Sequence, residues 1–332
     1  MSGSTETGST KSEVGRVGRY RDAVLFVLLA ALFGGSFAAI KTGLAELPPV
    51  LFAAHRFDVA AVALLGYLVV VRDRETWLPR TRADFVGIGV AALFLITLNN
   101  GLLFAGQATT TPAAASVMYG LNPVLAPVFA WVLLGDRLSR VGALGIGVAL
   151  AGVVVMVRPS PSTLAEASAI GQLLVLGAAA AVALGSVLLR RVEPQMESLP
   201  LTAWAMAVGA VLLHATSVGF GESQTALLGA SSATLWSVLA VGLPSTAVAY
   251  AIYFALIERL GPVRANLVAY VVPVFAALTG WVVLGSGISV WTVVGFFVVV
   301  VGFALVERET IRAELRRAFG RGNVSVSHPG DD

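Results

Sequence analysis

Apolar residues in this chain gather into ten long stretches with little polar interruption. They run from Ala23 to Ile40, Val50 to Val71, Phe85 to Phe104, Ala113 to Leu134 and Val141 to Val157. The second set runs from Ile170 to Leu189, Leu201 to Gly219, Leu235 to Ile257, Ala265 to Leu284 and Ser289 to Val306. About 20 such residues cross the hydrocarbon core of a bilayer as a helix. Lipid cannot satisfy an open strand edge, so each stretch is expected to be helical. Val298 to Val301 also lacks the in-out alternation of a β-barrel strand. The pattern predicts an all-α integral membrane protein of ten transmembrane helices. Residues 1–21 are polar, rich in Ser, Thr and Gly, and read as a disordered cytoplasmic tail with no cleavable signal peptide. Residues 159–169 read as a linker and 309–332 as a basic cytoplasmic tail.

The chain matches itself at an offset of 150 without a gap. Pro112 falls on Pro262, Pro123 on Pro273, Trp131 on Trp281 and Gly135 on Gly285. Gly145 falls on Gly295, Gly152 on Gly302, and Gly35-Ser36 on Gly185-Ser186. Chance apolar similarity does not keep one register across prolines, glycines and tryptophans. Residues 22–158 and 170–308 are therefore two five-helix repeats. Five is odd, so the second repeat enters the membrane from the opposite side. Inverted repeats of this kind are an architecture of alternating-access carriers.

Charge orients the bundle. Nineteen of the 22 Lys and Arg residues fall in the tails and in alternate connections, such as Arg72 to Arg82 and Arg190-Arg191. Only Lys41 and Arg158 fall in the opposite connections, and Arg56 lies within a span. By the positive-inside rule both termini are cytoplasmic, in the cytoplasmic membrane. The basic excess then needs no nucleic-acid partner.

Composition narrows the chemistry. The chain is 57% hydrophobic and 12% charged, about half the charge of an ordinary soluble domain. It has no cysteine, hence no disulfide, thiolate nucleophile or cysteine-ligated metal. His55, His214 and His328 are few and scattered along the sequence, so no metal or other cofactor is expected. There is no Gly-x-x-x-x-Gly-Lys-Ser/Thr loop, no His-Glu-x-x-His and no Gly-x-Ser-x-Gly, and no enzyme is expected.

The stretch Leu32-Phe33-Gly34-Gly35-Ser36-Phe37-Ala38-Ala39-Ile40-Lys41, with Pro48-Pro49 and Arg56-Phe57 after it, resembles the opening of an EamA domain. Asn122-Pro123 through Trp131 and Leu134-Gly135-Asp136-Arg137-Leu138 resembles its fourth helix and the loop after it, and Pro273 to Gly285 repeats this. The resemblance covers both repeats. It implies a ten-helix carrier of the drug/metabolite transporter superfamily, moving small metabolites such as amino acids or related solutes through a central cavity.

Polar groups inside the membrane are costly, so each is a functional candidate. His55, Arg56 and Asp58 lie in the second span, with His55 and Asp58 on one face. Arg56 is the candidate contact for a substrate carboxylate; His55 and Asp58 are candidates for proton coupling. Thr97, Asn100, Phe104 and Gln107 share a stripe on a regular helix, with Asn99 facing elsewhere. Asn100 and Tyr250 are mirrored, with Tyr253 beside the second stripe. Pro123, Pro273 and Pro244 are expected to bend their helices. Ser116 and Tyr119 near Pro123, Asn266 and Tyr270 near Pro273, and Ser36 complete the cavity candidates. Each of these groups could equally serve helix packing. His214 reads as a lone structural histidine, Trp131 and Trp281 as interfacial anchors, and the paired glycines as close helix contacts within the protomer or in a homodimer. The expected partners are a small-molecule solute and the bilayer. A secondary active transporter, working by export or exchange, leads. A lipid flippase or scramblase, or a membrane enzyme acting on lipid, is the alternative.

Overall fold

The computed structural model describes residues 6–137, 139–157, 167–260, 265, 267–306, 308 and 312, with residues 6–20 and 258 as backbone only. Every regular element among them is a helix. In chain order the long ones are α1 (Glu6–Gly43), α2 (Pro49–Val71), α3 (Arg82–Thr109), α4 (Pro112–Leu134) and α5 (Arg140–Val157). They continue with α6 (Ala167–Val192), α7 (Ser198–Gly219), α8, α9 (Val268–Leu284) and α10 (Val290–Val306). Helix α8 is continuous but built of three pieces, Ser232–Gly242, Leu243–Val248 and Ala249–Leu260. Among the described residues, seven helices are long and apolar enough to cross a membrane; α5, α9 and α10 are apolar but shorter.

Helix α1 already includes Glu6, within the stretch expected to be a disordered tail. Extending a helix that already exists avoids the cost of nucleation. Glu6, Lys11, Arg16 and Arg19 are good helix formers, so the apolar part of α1 propagates backwards through them. Residues 159–166 of the linker, and the basic tail apart from Arg312, lie outside the described residues.

The two halves pack through exchanged contacts. Helix α3 packs on α6 and α8 on α1; α4 packs on α6 and α9 on α1; α2 packs on α8 and α7 on α3. The remaining large interfaces, α2 with α7 and α5 with α10, join each helix to its own counterpart. This is the contact pattern of two like units related by a two-fold axis.

Lipid is as apolar as a leucine side chain, so close van der Waals fit must hold these helices together. At the α5–α10 seam glycine makes that fit possible. A Cβ on Gly145 would stand 2.6 Å from the Gly302 carbonyl oxygen, and one on Gly152 would stand 2.8 Å from that of Gly295. The four glycines predicted from the repeat thus close one interface inside the protomer.

Three helices are irregular. Helix α3 is π-helical over Ala91–Leu98, and α8 over Leu243–Val248, the same place at the 150-residue offset. Helix α4 is broken, into Pro112–Tyr119 and Asn122–Leu134. Pro123 therefore does not kink a helix from its middle. It stands in the first turn of the second piece, where its missing N–H costs nothing. Pro273 does lie inside α9, and Pro244 opens the π segment of α8.

Carboxylates tie the connections to helix starts at opposite ends of the bundle. Asp84 accepts from the backbone N–H groups of Thr81 (2.8 Å) and Arg80 (3.1 Å), and from Gln195 (2.8 Å) and Met196 (3.1 Å) in the α6–α7 connection. At the mirrored junction Glu46, in the α1–α2 connection, accepts from the backbone N–H of Ser231 at 2.7 Å.

Candidate functional site

The middle of the bundle encloses a cavity of about 350 Å³. Its walls are Phe33, Phe37, Tyr119, Tyr250, Tyr253 and Phe254, with Ser36, Asn99, Asn100, Ser116, Asn122 and Arg56 among the polar groups. The lining also includes Leu189, Ser198 and Thr202, which flank the α6–α7 connection, so the cavity extends toward that end of the bundle. Near the other end, the Lys41 ammonium donates to the carbonyls of Gln107 (2.9 Å) and Ala108 (2.6 Å), joining α1 to α3.

Arg56 is the one charged group among the described lining residues, and it is 7% exposed. It does not pair with Asp58. Its Nε donates to Thr246 Oγ1 at 2.7 Å and its Nη1 to Asn100 Oδ1 at 3.1 Å. The guanidinium carbon lies 5.0 Å from the centre of the Phe57 ring and 5.8 Å from that of Phe104. Two neutral acceptors and two ring faces hold the cation in place without neutralising it. A positive centre in an aromatic cavity of low dielectric attracts negative charge.

One of those acceptors, Thr246, lies in a π segment, and the other, Asn100, lies just after one. A π turn shifts the helix phase after it and releases carbonyls from regular bonding. Asn99 Nδ2 donates to the Leu95 carbonyl at 2.9 Å and Asn100 Nδ2 to that of Ile96 at 2.9 Å. Both asparagines then face the cavity, and Asn99 also donates to the Tyr119 hydroxyl at 3.2 Å. This corrects the regular-helix expectation that Asn99 points away. In α8, Thr246 donates to the Val241 carbonyl five residues back (2.7 Å) while accepting from Arg56.

The other expected residues divide. Ser36, Ser116, Tyr119, Tyr250, Tyr253 and Pro123 line the cavity. The Ser36 and Ser116 hydroxyls donate to the carbonyls of Phe33 and Ala113 in their own helices. Phe104 is fully buried behind the lining, edge-on to Phe52 with ring centres 5.1 Å apart. Thr97 and Gln107 are buried without lining the cavity. Tyr270 packs on Phe303 of α10, with ring centres 4.2 Å apart, because its face of α9 turns away from the cavity. Asn266 lies outside the described residues. Pro244 and Pro273 shape helices around the cavity without lining it. Trp131 and Trp281 are exposed on the outer surface.

His55 and Asp58 are neighbours, with Nδ1 3.2 Å from Oδ2, but neither lines the cavity. His214 is not alone. Its Nε2 lies 2.9 Å from the same Asp58 oxygen. Scatter along the sequence is not scatter in space: α2 and α7 pack together and bring residues 156 apart into contact. Thr246, Asn99, Asn122 and His214 are the residues that sequence reasoning missed. The repeat itself pointed near one of them, because Thr246 precedes Ala247, the counterpart of Thr97.

Helices of this length and polarity are those of a multi-pass membrane protein. The EamA-like transporter family matches residues 22–158 and 169–308, and the chain belongs to that family. It is 26% identical to an uncharacterized transporter of Archaeoglobus fulgidus, over 86% of this chain and 98% of that one. It is 26% identical to the uncharacterized transporter YvbV of Bacillus subtilis, over 90% and 95%. It is 29% identical to the uncharacterized inner membrane transporter YedA of Escherichia coli K12, over 84% and 90%. A solved structure titled only as the crystal structure of a protein shares the fold, with a TM-score of 0.56 and 21% identity over 85% of this chain and 97% of that one.

Proposed function

We propose that this protein is a secondary active transporter that moves a small carboxylate-bearing metabolite, amino acid-like or related, across the cytoplasmic membrane by alternating access, in export or exchange. The observation that carries it is the solitary cation of the cavity. Arg56 is oriented by Thr246 and Asn100, stacked on Phe57 and Phe104, and matched by no carboxylate among the described lining residues. A volume near 350 Å³ suits a small metabolite. The exchanged helix contacts suit two inverted five-helix repeats, making ten spans with α5, α9 and α10 as the shortest. With both termini cytoplasmic, the arginine-flanked end toward which the cavity extends is the cytoplasmic end, so this conformation faces inward. Rocking one repeat against the other about the α2–α7 pair then exposes Arg56 to the opposite side.

The test is counterflow in liposomes holding the full-length protein. Vesicles preloaded with unlabelled amino and organic acids should take up the labelled solute saturably, and Arg56→Gln should abolish that uptake. Flipping of labelled phospholipid with no solute exchange would replace this reading with the flippase alternative.

A further inference from the structure

His55 and Asp58 of α2 and His214 of α7 place one donor atom each within 4.8 Å of one another, outside the cavity. The hydrogen-bond network around His214 constrains what joins them. Glu222 accepts the Ser217 hydroxyl proton at 2.7 Å, so Ser217 Oγ has lone pairs to accept from Gln224 Nε2 at 2.8 Å. That fixes the Gln224 amide and leaves its Oε1 facing His214 Nδ1 at 2.9 Å. Nδ1 must therefore carry the proton of a neutral ring, and Nε2 is the bare nitrogen. Yet Nε2 stands 2.9 Å from a carboxylate oxygen of Asp58. Two lone pairs at that separation repel each other unless a positive species lies between them.

His55 completes a set of three donor atoms. Its Nδ1 is a third donor atom, 3.2 Å from the same Asp58 oxygen. Two imidazoles and one carboxylate form a donor set for borderline divalent transition metals. Bonds of about 2.0–2.1 Å in tetrahedral or octahedral geometry give donor-to-donor edges of about 3.0–3.4 Å, close to the two seen here. The Gln224 carbonyl on His214 Nδ1 is the outer partner that metal-bound histidines generally have. The three side chains are half-buried, which leaves room for water to complete the coordination.

We propose that His55, Asp58 and His214 bind a divalent transition-metal cation of the zinc class, joining α2 to α7. Arg56 is the next residue after His55, so a cation here also restrains the helix that carries the guanidinium of the cavity. The site requires no substrate assignment, and its test is independent of transport.

Metal-stripped full-length protein in detergent, with its affinity tag removed, is titrated with Zn²⁺ against a chromophoric chelator, and separately with Co²⁺ read by visible absorption. The wild type should bind about one equivalent, with Co²⁺ bands typical of nitrogen and oxygen ligands. His214→Gln and Asp58→Asn should weaken binding by about 100-fold or more, and Gln224→Leu, outside the donor set, by about 10-fold or more. His328→Ala should bind as the wild type does. Should the two ligand variants misfold, the wild-type Co²⁺ spectrum and the Gln224 variant still decide. No saturable binding by the wild type, or binding undiminished in His214→Gln or Gln224→Leu, overturns the proposal; the first result makes the species at His214 a proton.

Discussion

The carboxylate of Glu222 accepts the backbone N–H of Leu51 at 2.7 Å, and that of Val50 at 3.2 Å, across more than half the chain. Pro48 and Pro49 have no N–H, and Phe52 already donates to the Pro48 carbonyl. Val50 and Leu51 are thus the two orphaned donors at the start of α2, and Glu222 satisfies both. Its negative charge also lies at the positive end of the helix dipole. Glu222→Ala should cost about 1–3 kcal/mol, and Glu222→Gln less. Thermal unfolding in detergent measures it; an unmoved midpoint for Glu222→Ala would show that water caps α2 equally well.

Arg56→Lys keeps the charge and loses the fork. A lysine ammonium cannot reach Thr246 and Asn100 in one plane while stacking on Phe57 and Phe104. The variant should remain folded, with uptake affinity at least about 10-fold weaker, since each 1.4 kcal/mol is a factor of ten. Concentration-dependent uptake by reconstituted wild type and variant gives the comparison, and equal affinities would remove Arg56 from the binding site.

The α5–α10 seam predicts a pair of opposite results on one helix. Gly145→Val must push Gly302 away, because its Cβ would sit 2.6 Å from that carbonyl oxygen. Overpacking of this kind costs about 1–3 kcal/mol or more. Gly147→Ala, two residues on, meets nothing within 4 Å and should be neutral or stabilising by up to about 1 kcal/mol. Parallel thermal melts distinguish the two, and a similar fall in both would mean that general helix propensity, not the seam, sets the response.

Pro244 is expected to be dispensable to the π segment it opens. Its counterpart at the 150-residue offset is Phe94, and α3 forms the same π segment there without a proline. Pro244→Ala should change the unfolding midpoint by no more than about 1 kcal/mol equivalent and leave uptake intact. A large loss of either would show that the two halves reach the same geometry by different means.

Glu46 predicts a pH effect with a definite sign. The Ser231 backbone N–H, helped by the Ser231 and Thr234 hydroxyls, holds its carboxyl below the ordinary glutamate value. A depressed folded value means that the tie to α8 is fully present above the unfolded value, about 4.3, and is lost as pH falls through the folded one. Glu46→Gln should therefore flatten the acid side of the midpoint-against-pH curve. An unchanged curve would leave the tie without energetic weight.

Much of this architecture was legible in the sequence. The apolar runs pointed to the helices, and the 150-residue register pointed to the mirrored glycines, but not to the different places that Pro123 and Pro273 take in their helices. What the sequence hid was direction. A membrane helix is apolar on its lipid side and its packed side alike, so polarity does not say which face is which. Tyr270 could therefore be placed on α9 but not turned toward Phe303. Asn99 was assigned to the wrong side because nothing in Ala91–Leu98 announces a π turn. His214 lacked a partner on paper because contact between α2 and α7 is a property of the assembled bundle.

The stapling acids at the two ends come from non-equivalent partners. Met196 is the repeat counterpart of Glu46, and Thr81 that of Ser231, so one junction takes its carboxylate from the start of a helix and the other from a loop. The two repeats thus make a similar fastening with acids that are not counterparts. Each end can be loosened or tightened by a single mutation that the other never feels, which frees a protein built from one repeated plan from treating the two sides of its membrane alike.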